Sequence, residues 1–232
     1  MLELENKGID FSTSLSDVWR LLSAEERKLL REHAYTQHFK RNQKIYSEGE
    51  KPQYLMCLLK GKVKIYKDGV GGRSQIIRVI RPMQYFAYRA YFAQEDYQTD
   101  AMAFEVSIVC MVPLWLVVDL FRNNFSLCQF FIKQLSVDLG VADERTVNLT
   151  QKHIRGRLAE ALVFLIDNYG LENDHTINIY LAREDLANLS NMTTSNAIRT
   201  LSMFVTEKVI VLDGRKIKIL DEDKLRKISL LG

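Results

Sequence analysis

The stretch from Leu186 to Ile219 constrains this chain more than any other, because its residue types leave few ways to fold. Leu186, Ala187 and Leu189 give a short helix an apolar side, and the small Ala187 lets a second helix come close. Ser190-Asn191-Met192 reads as the turn between them. Asn191 stands where glycine would be usual, and asparagine tolerates positive φ better than most residues. Thr193 is suited to cap a second helix that runs to about Phe204. Within it Ala197, Ile198, Leu201, Phe204 and Val205 recur at helical spacing and are expected inward, leaving Thr194, Ser195, Asn196 and Arg199 to point outward. Val209-Ile210-Val211-Leu212 and Arg215-Lys216-Ile217-Lys218-Ile219 then flank Asp213-Gly214, the expected turn of a two-residue β-hairpin. Helix, turn, helix and hairpin in this order predict a winged helix-turn-helix.

The side chains on this frame suit double-stranded DNA. A helix that enters the major groove needs short polar residues near its N-terminus for base edges, and an arginine able to make two bonds to guanine. Thr193, Thr194, Ser195, Asn196 and Arg199 supply that set. The second hairpin strand is basic, so Arg215 and Lys216 can lie along phosphates and fix register without reading sequence. A helix-turn-helix used only for protein contact is the competing reading, and the basic hairpin argues against it. Acidic and basic residues balance from His153 onward and the whole chain carries a net +3, so affinity must rest on local charge placement.

Upstream, Ser23-Ala24-Glu25-Glu26 has the form of a capping box and predicts a helix over Glu26 to His33. From Lys44 the texture changes to short β-rich runs divided by glycines. The runs are Tyr54 to Leu59, Lys62 to Tyr66, Ser74 to Ile80 and Val106 to Val112, a spacing that predicts a small all-β roll or barrel. Pro113 ends this section, and Leu114 to Phe121 reads as one short helix. Ser126-Leu127-Cys128-Gln129 reads as a second capping box that opens a longer one. Along the longer helix Cys128, Ile132, Leu135, Leu139, Ala142, Thr146 and Leu149 alternate at steps of four and three. That is the period of a coiled-coil seam, expected to bury against the same helix of a second copy. The alternative is packing on the chain's own roll, but Phe130, Phe131, Val137 and Val141 on other faces are available for that. A further helix, about Arg155 to Tyr169, closes at Gly170, and the Glu172 to His175 turn leads into a separate C-terminal unit.

The order of these parts, from about Trp19 to Leu225, resembles the cyclic-AMP receptor and fumarate-nitrate regulator family. Ile45-Tyr46-Ser47-Glu48-Gly49-Glu50 and Leu58-Leu59-Lys60-Gly61-Lys62-Val63-Lys64 are similar to the family's paired glycine turns. Leu186-Ala187, Ile198-Arg199-Thr200-Leu201 and Gly214-Arg215-Lys216-Ile217 are similar to its helix-turn-helix and wing. The resemblance implies an α+β fold: an N-terminal double-stranded β-roll of the cyclic-nucleotide-binding jelly-roll kind, a long dimerisation helix and a C-terminal winged helix-turn-helix. It implies a homodimer on a palindromic operator, with the two recognition helices about 34 Å apart in successive major grooves. It puts Arg199 at the guanine-reading arginine, while Thr194 and Ser195 replace Arg and Glu, so a different operator is expected. Arg183, at the start of the first helix, is expected to meet a backbone phosphate.

The resemblance also places an effector pocket at Tyr85, Phe86, Tyr88, Arg89, Gln98 and Thr99. Members that bind cyclic AMP carry a glycine–glutamate pair and, some ten residues on, an arginine for the phosphate. Here Phe86-Ala87-Tyr88-Arg89 occupies that stretch, and neither Arg nor Lys occurs between Arg89 and Arg122. A buried phosphate without a cation is costly, so cyclic AMP is disfavoured. The aromatic set Tyr85, Phe86, Tyr88, Tyr91, Phe92 and Tyr97 suits either a less charged effector or plain core filling. No N-terminal cysteine group suggests an iron–sulfur cluster, and His33, His38 and His153 leave haem open.

Other classes fit less well. The sequence has no GxSxG, HExxH, P-loop or dinucleotide fingerprint, so an enzyme is not expected. A ligand-binding regulatory subunit acting through protein contacts would not need the basic hairpin. Three cysteines without a CxxC pair, no secretion-signal layout at Met1 to Asn6 and no long apolar run point to the cytoplasm, away from membranes. RNA polymerase is a candidate partner. The expected division is a sensor over residues 1–125, a dimerisation helix over 126–152 and a reading head over 153–232.

Overall fold

The computed structural model describes residues 15–69 and 72–232; the Met1 to Asn6 reading and the first residues of the expected sensor lie outside them. Contacts divide the chain into two units. One ends at Lys67 and resumes over Ile77–Leu139; the other joins Asp68–Ile76 to Gly140–Gly232.

The first unit opens with helices α1 (Ser16–Trp19) and α2 (Ala24–His33). At α2 the expected capping box is present: Ser23 Oγ accepts from Glu26 N, and Ser23 N donates to the Glu26 carboxylate. Strands β1 (Tyr35–Phe39), β2 (Lys44–Tyr46), β3 (Tyr54–Lys60), β4 (Val63–Asp68), β5 (Ser74–Ile80), β6 (Tyr85–Phe86), β7 (Asp100–Ala103) and β8 (Ser107–Pro113) follow. The short helix α3 (Arg89–Phe92) lies between β6 and β7. The strands form two four-stranded sheets, in the orders β1-β8-β3-β6 and β2-β7-β4-β5, which is the expected double-stranded roll.

β3 and β8 are buried on both faces, which is why Tyr54-Leu55-Met56-Cys57-Leu58 and Ile108-Val109-Cys110-Met111-Val112 read as apolar runs without alternation. Met56, Leu58, Val109 and Met111 face the roll interior, with Phe39, Val63, Ile65, Ile80 and Phe86. Leu55, Cys57, Cys110 and Val112 face a second core made with α1, α2 and the helices that follow β8. Gly61 turns β3 into β4 at φ +94°, and a Cβ there would lie 2.3 Å from Ser107 Oγ, so only glycine fits.

Several expectations for this unit are corrected. β1 and β7 were not foreseen, because Tyr35-Thr36-Gln37-His38-Phe39 and Asp100-Ala101-Met102-Ala103 are short and mixed in polarity. Each becomes a strand by pairing with a longer neighbour, β1 with β8 and β7 with β4. Helix α4 (Leu114–Asn123) follows β8, and the long helix α5 spans Phe125–Gln151. Ser126 does not cap α5 but lies within its first turn; the side chain of Asn124 accepts from Leu127 N instead. Leu127 and Phe131 are buried and Phe130 packs beside them, whereas Val137 and Val141 are exposed rather than given to the roll.

The second unit contains the C-terminal part of α5 and helix α6 (Ile154–Tyr169). It continues with α7 (Arg183–Leu189), α8 (Thr194–Thr206), the hairpin β9 (Ile210–Asp213) and β10 (Lys216–Ile219), and α9 (Glu222–Leu231). Leu158, Leu162 and Leu165 of α6 are buried with Leu186, Leu201, Phe204, Val209, Ile210 and Leu225. α6 therefore packs within this unit. Helix α9 was unforeseen; Asp221 caps it by accepting from Lys224 N at 2.8 Å. Among the described residues no helix is long and apolar enough to cross a membrane.

Candidate nucleic-acid interface

Helix α7 buries Leu186, Ala187 and Leu189, as their spacing requires. It stops because Ser190 N bonds back to Leu186 O and Ala187 O, Asn191 takes φ +50°, and Met192 N returns to Ala187 O at 3.0 Å. Thr193 then caps α8, its Oγ1 accepting from Asn196 N at 3.3 Å. Ala197, Thr200, Leu201 and Phe204 are buried beneath α8. Thr193, Thr194, Ser195 and Arg199 are exposed together at its N-terminal end, and Asn196 is half-buried at their edge. Ile198 and Val205 are not inward as expected: they are 48% and 38% exposed, beside the inner stripe rather than on it.

The wing differs from expectation by one residue. Asp213 pairs with Lys216 across the hairpin, so the two turn residues are Gly214 and Arg215, not Asp213 and Gly214. Gly214 sits at φ +54° as the first turn residue, the position where a two-residue hairpin most needs glycine. This lifts Arg215 to the tip, exposed with Lys216, whose Nζ stands 5.4 Å from the centre of the Tyr180 ring. Arg183 reaches the same turn: its Nη2 donates to Gly214 O at 2.6 Å, and partial burial lowers its pKa. Two of the expected DNA residues thus meet at the wing, one as its brace and one as its tip.

Helix α8 is held from below by residues that carried no signal in the sequence. Arg155, at the start of α6, donates to both carboxylate oxygens of Glu207 at 2.6 Å and stands 5.0 Å over the Phe204 ring. Glu207 is at the C-terminal cap of α8, where a carboxylate meets the negative end of the helix dipole. Hydrogen bonding from Arg155 keeps it ionised and lowers its pKa, with Lys224 adding a second cation. Residues 52 positions apart left no linear signal of this clamp. Arg145 of α5, half-buried and with its pKa lowered by desolvation, donates to Ile76 O at 3.0 Å and to Leu189 O at 3.1 Å. Both acceptors belong to the second unit.

The expected effector residues scatter across the first unit. Tyr85 and Tyr88 turn toward the helical core, each edge-on to Phe131 at 5.2 and 5.3 Å. Phe86 fills the roll interior. Arg89 points outward to Glu95 at 2.6 Å, and Gln98 is exposed with its carbonyl taken by Lys67 Nζ. Thr99 hydrogen-bonds Tyr46, which stacks on Tyr97 at 3.9 Å. Tyr91 and Phe92 lie at the surface. Buried with no hydrogen-bond partner are the hydroxyls of Tyr88 and Tyr97, and burial raises the pKa of both. A cation the linear pattern did not suggest is also close: Arg78 of β5 pairs with Asp138 of α5 at 2.9 Å, near Tyr88 and Tyr46. Burial raises the Asp138 pKa, and Arg78 opposes the rise. Of the candidate haem histidines, His33 packs edge-on to Trp115 at 5.0 Å, His38 lies on β1 and His153 stands at the N-cap position of α6 without a side-chain cap bond.

On the seam of α5, Ile132 and Leu139 are 54% and 63% exposed, and Ala142 and Thr146 are exposed too. Leu135 leans on the helical core; Cys128 and Leu149 are half-buried.

Residues 36–124 match the cyclic nucleotide-binding domain, and residues 156–228 match the Crp-like helix-turn-helix domain. The chain belongs to the cyclic-AMP receptor and fumarate-nitrate regulator family. It is 23% identical over 191 residues to electron transport regulator A of Shewanella oneidensis, covering 82% of this chain and 76% of that one. It is 22% identical over 194 residues to the CRP-like cAMP-activated global transcriptional regulator of Mycobacterium tuberculosis, covering 81% and 84%. The structure of FixK2 from Bradyrhizobium japonicum superposes with a TM-score of 0.76 at 20% identity, over 84% of this chain and 96% of that one. Within this family, α7 and α8 are the helix-turn-helix and the β9–β10 hairpin is its wing.

Proposed function

We propose that this family member is a homodimeric, sequence-specific DNA-binding transcription regulator whose DNA affinity is set by an effector in the β-roll. The observation that carries the reading is the outward end of α8. Thr194, Ser195 and Arg199 stand free of the core there, and the braced wing presents Arg215 and Lys216. Base edges would be read by Thr193, Thr194, Ser195, Asn196 and Arg199, and phosphates held by Arg215 and Lys216. Arg183 would serve through the wing turn it holds. Nothing observed favours a regulatory subunit that works only through protein contacts, and the protein acts by binding, not catalysis.

Two copies would pair through Ile132, Leu135, Leu139, Ala142, Thr146 and Leu149 of α5, since exposed Ile and Leu on a heptad stripe gain most from a second helix. Residues 1–125 sense, 126–152 dimerise and 153–232 read. The effector is not cyclic AMP: Gln98 and Tyr88 offer no cation or carboxylate, and Arg78 is already neutralised by Asp138. An effector that favours one spacing of the recognition helices shifts affinity by its differential binding to the two arrangements. The setting is the cytoplasm, with RNA polymerase as a further partner.

The test is a salt titration of binding to a duplex selected from a random pool. Phosphate contacts predict a linear fall of log affinity with log salt, of slope about −0.9 for each phosphate neutralised. A flat response, or a monomer by sedimentation that Leu139→Asp leaves unchanged, would refute the reading.

A further inference from the structure

Helix α8 holds one large apolar side chain where its pattern does not explain it. The inner stripe of Ala197, Leu201 and Phe204 is fully buried, yet Ile198 is 48% exposed. It stands on the accessible side with Thr194, Ser195, Arg199 and Ser202, one turn from the helix start. Isoleucine is a poor choice for such a position on local grounds, because β-branching lowers helix propensity and its apolar surface meets water. The neighbouring Ser202 hydroxyl is bonded back to Ile198 O at 3.0 Å, so it adds no free donor there.

We propose that Ile198 is a specificity-determining residue that packs on a pyrimidine 5-methyl group, which in unmodified DNA is thymine's. In the major groove that methyl is the one apolar feature a base edge presents, and apolar side chains meet it. Ile198 adjoins Arg199, so the thymine lies within a base pair or two of the guanine Arg199 reads. The inference rests on the DNA-binding reading and adds a base to it. An apolar contact of this kind discriminates by desolvating one methyl, an effect of about three- to tenfold.

The experiment takes the full chain and a site selected from a random duplex pool, and replaces each thymine in both half-sites, one position at a time, with deoxyuridine. That removes the methyl and leaves hydrogen bonding unchanged. One position, changed in both half-sites, is expected to weaken the wild-type protein by about nine- to hundredfold, roughly three- to tenfold for each methyl. Ile198→Ser should lose sensitivity at that position alone, and Ile198→Val should keep most of it. If the protein binds the selected site but no thymine responds, or if Ile198→Ser responds as wild type does, the inference is wrong while DNA binding stands. If no duplex is bound, both fall. If Ile198→Ser instead shifts the oligomeric state, the side chain serves a protein contact and the inference is again overturned.

Discussion

The outward end of α8 and the β-roll both carry polar side chains, arranged in opposite ways. On α8, the core fixes the helix from below, through Phe204, Leu201 and the Arg155–Glu207 clamp, and Thr194, Ser195 and Arg199 are left exposed. In the roll, the polar groups are spent on one another: Arg78 on Asp138, Arg89 on Glu95, Thr99 on Tyr46, with the Tyr88 and Tyr97 hydroxyls sealed in. A surface that recognises a large polyanion can be built from exposed groups on a rigid support. A pocket for a small molecule needs buried groups kept unpaired, and in the roll the Tyr88 and Tyr97 hydroxyls come nearest that condition.

The largest effect expected is on the support. Phe204→Ala removes a fully buried ring and should destabilise the protein by about 3–5 kcal/mol, read from denaturant unfolding. A loss below about 1 kcal/mol would mean that α8 is not fixed from below, and the contrast with the roll would lose its basis.

Next comes the reading face itself. Arg199→Ala should weaken binding at the selected site by about 1–3 kcal/mol and relax preference at one base pair, with unfolding unchanged. Equal weakening on every sequence would make Arg199 a phosphate contact.

The wing gives a smaller effect with a sharper reading. Arg215→Ala and Lys216→Ala should each reduce the salt slope by about one. Because Arg183 holds Gly214 O, Arg183→Ala should weaken DNA binding in the wild-type background and add nothing when Arg215 and Lys216 are already alanine. Additive losses would restore Arg183 to a direct phosphate contact.

The smallest effect probes the roll. Tyr88→Phe deletes a buried hydroxyl with no partner, so stability should be unchanged or slightly higher by thermal unfolding. A clear loss of stability would show that the hydroxyl is satisfied, and the contrast between the two regions would narrow.

The reading head was legible in the sequence because its determinants are local. Thr193 caps, Asn191 turns and the inner stripe of α8 recurs within a few residues, so the elements follow from spacing alone. Where the reading erred there, at Ile198, at the hairpin turn and at α9, the answer depended on which side a neighbouring element left open. The roll was legible as β-rich, but β1 and β7 were not, since they are strands only by virtue of their partners.

By itself the sequence determined the helix-turn-helix and hairpin order of the reading head, the outward polar set on α8 and the basic character of the wing, because capping, turn chemistry and helical period act over at most a few residues. Only the tertiary structure decided that Arg183 braces the wing, that Arg155 clamps Glu207 and that Arg78 meets Asp138 beside Tyr88. Those pairs join residues 31 to 60 positions apart, and the distance between them is set by packing rather than by any local pattern.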